Sequence, residues 1–291
     1  MRFSKMHGLG NDFVVVDCRA APLALDAAQI RLLGDRHFGV GFDQLLAIEP
    51  ARDPSCAFAY SIWNTDGTPS GQCGNGLRCV ARWLDRAGAL PDRRARLESP
   101  SGPVEVELLA DGRVRAAMGE PRFDAGRIPL DIGRAVASTG DGAITCGGVP
   151  IVCTLRTDAA PIEFGAVSMG NPHAVVQVGS VDAAPVAALA AAIRASGVFP
   201  QGCNVGCAEI VARDAIRLRV DERGVGETLA CGSGACAAVA VLRMRGALDA
   251  SVQVRLPGGS LAIEWQGPGN EAWMTGPATF VFEGEWQPPA A

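Results

Sequence analysis

"QCGNGLRCVARWLDRAGAL" (residues 72–90) reads as a tight glycine turn opening a helix, with a cysteine one position ahead of the turn. "ACGSGACAAVAVLRMRGAL" (residues 230–248) reads the same way. Setting Cys231 on Cys73 gives an offset of 158 (231 − 73), which also aligns Gly74 with Gly232, Gly76 with Gly234 and the two "GAL" triplets. The correspondence extends outward. Upstream, "GNDFVVV" from Gly10 faces "GNPHAVV" from Gly170 at an offset of 160, and Gln44 faces Asn204 at the same offset. Downstream, Pro100 and Gly102 face Pro257 and Gly259 at 157, and Met118 and Pro121 face Met274 and Pro277 at 156. A slowly drifting offset that keeps its order is what duplication followed by small loop insertions leaves, and the period is far too long for a stacked solenoid. The expected organisation is two similar domains, 1–119 with 277–291, and 120–276. The closing "TGPATFVFEGEW" has no counterpart after "MGEP" and is expected to return as a strand to the first domain.

Within each half, short β-branched runs ("FVVVD", "AVVQV", "VEVELL", "IRLRV", "VQVRL") lie between Gly and Pro signals and read as strands. One main helix follows each cysteine. In the first, Cys79, Val80, Trp83 and Leu84 recur near helical spacing, with Arg78, Arg82, Asp85 and Arg86 marking a wetter side. The second is apolar nearly all round, as a helix wrapped by sheet would be. A further helix is expected over 182–195, with Asp182 as its cap. The fold class is α+β: two pseudo-symmetric domains, each a mixed or antiparallel sheet around a central helix.

The 291-residue chain has room for two cores, and its 48% hydrophobic and 20% charged composition, with 36 Gly and 19 Pro, belongs to a turn-rich globule. A net charge of −5 and a single tyrosine, Tyr60, offer neither a basic field for phosphates nor an aromatic platform for bases, which argues against nucleic acid. The N-terminus lacks the apolar core of a signal peptide, and "AAPVAALAAAI" is too short to span a bilayer, so the expectation is a cytoplasmic protein with no membrane partner. Ten cysteines in a chain of this kind read mostly as small buried hydrophobes.

Cys73 and Cys231 are the exceptions, because both stand at the start of a helix, where unpaired N–H groups favour thiolate and bind anions. Duplicated domains commonly face each other about a pseudo-two-fold axis, which would bring equivalent residues together. Two thiols approaching one carbon from opposite sides can invert it: one, as thiolate, removes a proton, and the other, as thiol, returns one to the far face. The charge that develops on an adjacent carboxylate could be held by the two helix starts, so neither a cofactor nor a metal is required. A redox disulfide between the two cysteines is the alternative. Zinc fits poorly, since Cys73 to Cys79 and Cys231 to Cys236 are not the close pairs of structural sites.

With both cysteine turns in hand, the sequence resembles the diaminopimelate epimerase family over nearly its whole length. The resemblance rests on "KMHGLGNDFVVVD", "GVGFDQLL", "NTDGT", "QCGNG", "SMGNPH", "ERGVGET" and "ACGSGACA", in family order. It implies a cofactor-independent epimerase interconverting LL- and meso-diaminopimelate, with Cys73 and Cys231 as the two catalytic thiols. It further implies that Gly74, Asn75, Gly232 and Ser233 bind the reacting carboxylate. Asn11, Gln44, Asn64, Asn171, Asn204, Glu222 and Arg223 would bind the remaining polar ends, and His173 and Glu222 would bias the protonation of the thiols. Neutral amides suit a substrate with an amino acid at each end, and an arginine fork suits a distal carboxylate. The family also implies a homodimer, with Phe282 at a position where relatives carry a tyrosine in the dimer contact. Asp221 and Leu77 depart from the family pattern away from the chemistry. Proline racemases share the two-thiol logic, but they carry histidine where Asn75 stands and have no distal carboxylate to bind. A non-catalytic binder or thiol redox sensor is the reading from a different class.

Overall fold

Phe13, Val14, Val15 and Val16 are all buried, because the strand that carries them, β2 (Asn11–Asp17), has both faces covered. Side chains alternate across a strand. Phe13 and Val15 therefore pack towards one helix, and Val14 and Val16 towards another. The computed structural model describes residues 1–134, 136–137, 145–146, 149–150, 152–157 and 160–287. It divides into two units, Met1–Ala117 with the chain from Thr275 onward, and Met118–Met274.

Unit 1 begins with β1 (Arg2–Gly8) and β2, antiparallel about a turn in which Gly10 takes φ +88°. Helix α1 (Ala27–Gly34) then leads to β3 (Gln44–Pro50), which runs parallel to β2 with Phe13 opposite Gln44. Next comes β4 (Phe58–Asn64), antiparallel to β3 with Gln44 opposite Asn64. Helix α2 (Gly74–Arg86) crosses the sheet face, followed by β5 (Arg94–Ser99), β6 (Gly102–Leu108) and β7 (Val114–Ala117). Leu77, Val80 and Leu84 of α2 join Met6, Phe13, Val15, Leu46 and Ile48 in one core cluster. On the opposite face Ile30 and Leu33 of α1 pack with Phe3, Val14, Val16 and Leu45.

Unit 2 opens with four short strands, β8 (Val136–Ala137), β9 (Thr145–Cys146), β10 (Val149–Pro150) and β11 (Cys153–Leu155). It then repeats the ladder of unit 1. Strands β12 (Ile162–Ser168) and β13 (Pro172–Gln177) are antiparallel about Gly170, at φ +92°. After α3 (Val186–Ala195), β14 (Asn204–Ala212) runs parallel to β13 with His173 opposite Asn204. Strand β15 (Ala215–Glu222) is antiparallel to β14, and β16 (Gly226–Thr228) adds to it. Helix α4 (Gly232–Met244) packs on β12 to β15 and on β18 (Gly259–Glu264), which follows β17 (Ser251–Leu256). The chain closes with β19 (Trp273–Gly276) and β20 (Thr279–Glu285), the latter antiparallel to β1.

The repeat read from the sequence is thus a repeat of register. The parallel pairs Phe13–Gln44 and His173–Asn204 differ by 160 on both strands (173 − 13 and 204 − 44). The hairpins Ser99–Gly102 and Leu256–Gly259 differ by 157 (256 − 99 and 259 − 102). Ten of the thirteen residues of α4 are buried, as its all-round apolar sequence requires.

Two local readings are corrected. The helix expected from Asp182 begins at Val186, because Pro185 disfavours helical geometry at the residue before it, and Asp182 instead pairs with Arg217 at 2.7 Å. Arg78, read as facing water, is 0% exposed. Among the described residues no helix is long and apolar enough to cross a membrane.

Candidate active site

Helices α2 and α4 have the same length, thirteen residues, and the same start. Cys73 caps the first at φ −125°, ψ 113°, and Cys231 caps the second at φ −114°, ψ 107°. In both, the cysteine carbonyl accepts the first intrahelical bond, from Leu77 N at 2.8 Å and from Ala235 N at 3.0 Å. Neither start carries the side-chain cap bond that Ser or Asp would make, and the start of a helix is a place where backbone N–H groups can receive an anion.

Around the first start the side chains form a chain of amides. The Cys73 thiol donates to Asn11 Oδ1 at 3.7 Å, and the same oxygen accepts from Asn75 Nδ2 at 3.2 Å. Asn75, only 3% exposed, accepts through its own Oδ1 from Arg78 Nη2 at 2.8 Å. Asn11 Nδ2 donates to Asp43 Oδ2 at 2.8 Å. Gln44 donates to Asn64 Oδ1 at 3.2 Å and to Ser70 Oγ at 2.9 Å, while Asn64 Nδ2 donates to Thr68 Oγ1 at 3.2 Å. Below this layer lies Asp12, held well under the ordinary carboxylate range, at about 2. Burial alone would raise it, but hydrogen bonds and charge from Arg36 and Lys5 outweigh that.

The second start is more enclosed, and a carboxylate stands beside its thiol. Cys231 is 4% exposed, and burial pushes its thiol well up. The Glu222 carboxylate beside it pushes in the same direction, while hydrogen bonds from Ser233 and the Gly234 backbone oppose it. Ser233 Oγ lies 3.6 Å from Cys231 Sγ, and Glu222 Oε1 accepts from Thr228 Oγ1 at 2.6 Å. Asn204 Oδ1 accepts from the backbone N–H of Arg223 at 2.8 Å, and the exposed Arg223 guanidinium donates to the Gln201 carbonyl at 2.6 Å. His173 Nε2 and Asn171 Oδ1 are 3.1 Å apart. His173 is fully enclosed, and that burial lowers its pKa to about 3, so the imidazole is neutral across the physiological range.

Unit 1 therefore links Asn11 and Asn75 to Cys73, and Gln44 to Asn64 and Ser70. Unit 2 links Glu222 and Ser233 to Cys231, Arg223 to Asn204, and His173 to Asn171 on one strand and to Asn204 in the ladder. Sequence reasoning missed the supports: Arg78, Asp43, Ser70, Thr68 and Thr228. Arg78 left a signal in standing three residues after Asn75 on one helix face, and Asp43, Thr68 and Thr228 stand inside "GVGFDQLL", "NTDGT" and "ERGVGET"; Ser70 left none. Among the described residues no group of three or more His, Cys, Asp or Glu side chains is arranged to hold a metal ion.

The sequence profile for diaminopimelate epimerase matches residues 3–123 and 165–281. The chain belongs to the diaminopimelate epimerase family. A diaminopimelate epimerase of Xanthomonas axonopodis pv. citri is 51% identical over 98% of this chain and 96% of the relative. One from Stutzerimonas stutzeri is 45% identical over 98% of each. Among solved structures, a probable proline racemase from Agrobacterium radiobacter K84 superposes with a TM-score of 0.67 at 18% identity, covering 98% of this chain and 92% of that one. A phenazine biosynthesis protein of the PhzF family from Bacillus anthracis gives 0.65 at 14%, covering 99% of each. At those identities the likeness is one of fold, and the fold is the mixed α+β architecture these proteins share.

Proposed function

We propose that this member of the family interconverts LL- and meso-diaminopimelate, with Cys73 and Cys231 working on opposite faces of one α-carbon. The observation that carries the reading is the matched pair of helix starts, each with a cysteine at the cap and the same backbone geometry. One thiolate removes the α-proton. The electron pair left behind spreads onto the adjacent carboxylate, where N–H groups at Gly74, Asn75, Gly232 and Ser233 hold the charge as it develops. The other thiol delivers a proton to the far face, and reversal exchanges the roles.

The two thiols are not electrostatically alike. Burial and Glu222 favour the thiol form of Cys231, which suits it to the acid's role opposite Cys73 as the base. His173 stays neutral and serves as a hydrogen-bonding wall rather than a charge. Asn11, Gln44, Asn64, Asn171, Asn204 and Glu222 read the polar groups of the substrate, and Arg223 reads its distal carboxylate. Each unit acts as one epimerase domain carrying one thiol. The reading also includes a cytoplasmic homodimer, supported by the exposed Val281 and Phe282 on β20.

Chiral chromatography of LL-diaminopimelate and of L-proline after incubation with the purified protein tests the assignment. Conversion of the first to the meso form, with the second unchanged, is expected. Racemisation of proline without action on diaminopimelate would overturn it.

A further inference from the structure

Arg78 is a costly residue where it stands. The start of a helix is the positive end of its dipole, so a cation whose side chain reaches back over that end opposes the field. Arg78 lies on the second turn of α2 with a fully buried guanidinium that returns to the first turn. Nη2 donates to Asn75 Oδ1 at 2.8 Å, Nη1 to the Gly74 carbonyl at 3.3 Å, and Nε to the Pro277 carbonyl at 3.2 Å. Space has been cleared for it. A Cβ at Gly8 would sit 3.1 Å from Arg78 Nη2 and 3.2 Å from Asn75 Cβ, and Gly8 lies opposite Asn11 in the β1–β2 ladder.

The bond to Asn75 fixes which way that amide points. With Oδ1 taken by the guanidinium, Nδ2 is the group presented to Asn11, whose Oδ1 then accepts from both Asn75 and the Cys73 thiol. The second unit has no such cation at the equivalent place: position 236 (78 + 158) is a cysteine. The asymmetry is completed from the other side, because Glu222, beside Cys231, corresponds to the neutral Asn64 (222 − 158).

We propose that Arg78 is a positioning residue for the first thiol: through Asn75 and Asn11 it orients Cys73, and its buried positive charge favours thiolate at the first helix start, where the second has the Glu222 carboxylate instead. The assignment of Cys73 as the base rests on the proposed function; the orientation of the thiol by Arg78 does not. Tyr60 on β4 and Cys79 on α2 also interact with Cys73, and burial keeps both neutral. Asp43 is joined to the thiol through Asn11, and its carboxylate would oppose thiolate rather than favour it.

The test is the pH dependence of iodoacetamide alkylation at Cys73, followed by peptide mass spectrometry in the full-length enzyme, with Cys231 as the internal reference. Arg78→Met should raise the alkylation midpoint of Cys73 by about one pH unit, a roughly tenfold slower reaction at pH 7. The Cys231 profile should stay unchanged, and kcat should fall more than KM rises. Arg78→Lys restores the charge without the fork and should recover part of the shift. Gly8→Ala crowds the guanidinium while leaving its charge in place; it loosens the Asn75–Asn11 arrangement whose Oδ1 accepts from the Cys73 thiol, and so should move the Cys73 midpoint by less and downward. Should Arg78→Met fail to fold, the Gly8→Ala shift decides. An unmoved Cys73 midpoint in a folded variant, or a lysine variant no better than methionine, would overturn the proposal. Because the midpoint is read without turnover, absence of epimerisation by the wild-type protein would overturn the proposed function separately.

Discussion

Gly76 and Gly234 are equivalent positions (234 − 76 = 158) on the first turns of α2 and α4, and replacing each by alanine separates packing from chemistry. Both substitutions gain helix propensity of about 1 kcal/mol. Both also overpack. A Cβ at Gly76 would lie 3.2 Å from Leu46 Cδ2 and 3.4 Å from Phe13 Cε1, all side-chain atoms of the core. One at Gly234 would lie 3.0 Å from Val220 Cγ2 and 3.3 Å from both Cβ and Sγ of Cys231. Overpacking costs about 1–3 kcal/mol, so each variant should lose roughly 0–2 kcal/mol net, with Gly76→Ala the milder because the Leu46 methyls can turn away. Activity should divide them. Relieving the contact at Gly234 displaces the thiol by some tenths of an ångström, and misplacement of a reacting group by about 1 Å can cost on the order of 10²-fold. A loss of about 3- to 10-fold in kcat is expected for Gly234→Ala and less than about twofold for Gly76→Ala, both measured beside thermal melts. Equal losses in the two variants, or full activity in Gly234→Ala, would refute the placement of Cys231 at the reacting carbon.

Cys73→Ala and Cys231→Ala should each abolish epimerisation, because either leaves one face without its acid or base; chiral analysis showing substantial two-way conversion by either would count against two-base chemistry. Arg223→Ala should weaken diaminopimelate selectively, by about 3–5 kcal/mol if the distal carboxylate is left desolvated and unpaired, while lysine, which lacks that carboxylate, is little affected; equal penalties would make the arginine structural. His173 has a folded pKa near 3 against about 6.5 unfolded, so its contribution to stability is complete above pH 6.5 and is lost as pH falls from 6.5 towards 3, at up to about 1.4 kcal/mol per pH unit. Urea titrations across that range should show the slope, and His173→Gln should flatten it.

The parts of this fold that were legible are those where one physical demand fixes the residues. A strand covered on both faces must be apolar throughout, as Phe13–Val16 is, and a helix inside a sheet must be apolar all round, as α4 is. The duplicated cysteine turns carried the site, because the same rare arrangement at one offset outweighs any single residue. Arg78 was misread because periodicity assigns charge to the wet side, whereas a guanidinium with three built acceptors can be buried. Helix α1 was passed over despite its capping box, Asp26 and Gln29 bonded reciprocally at 2.8 and 3.0 Å, since eight residues offer too little periodicity. Supports such as Asp43, Ser70 and Thr228 arrive from loops and neighbouring strands. Asp43 and Thr228 stand inside "GVGFDQLL" and "ERGVGET", but pattern alone does not say that they bond Asn11 and Glu222.

The central claim is that one thiol removes the proton and a different thiol returns it. It is tested by starting from protiated LL-diaminopimelate in deuterium oxide, stopping at early conversion, separating the stereoisomers and weighing each by mass spectrometry. Two bases predict that the meso product carries one solvent deuterium at the inverted carbon while the remaining LL substrate carries almost none. Product that keeps the original hydrogen, or substrate that gains deuterium as fast as product forms, would show a single base serving both faces.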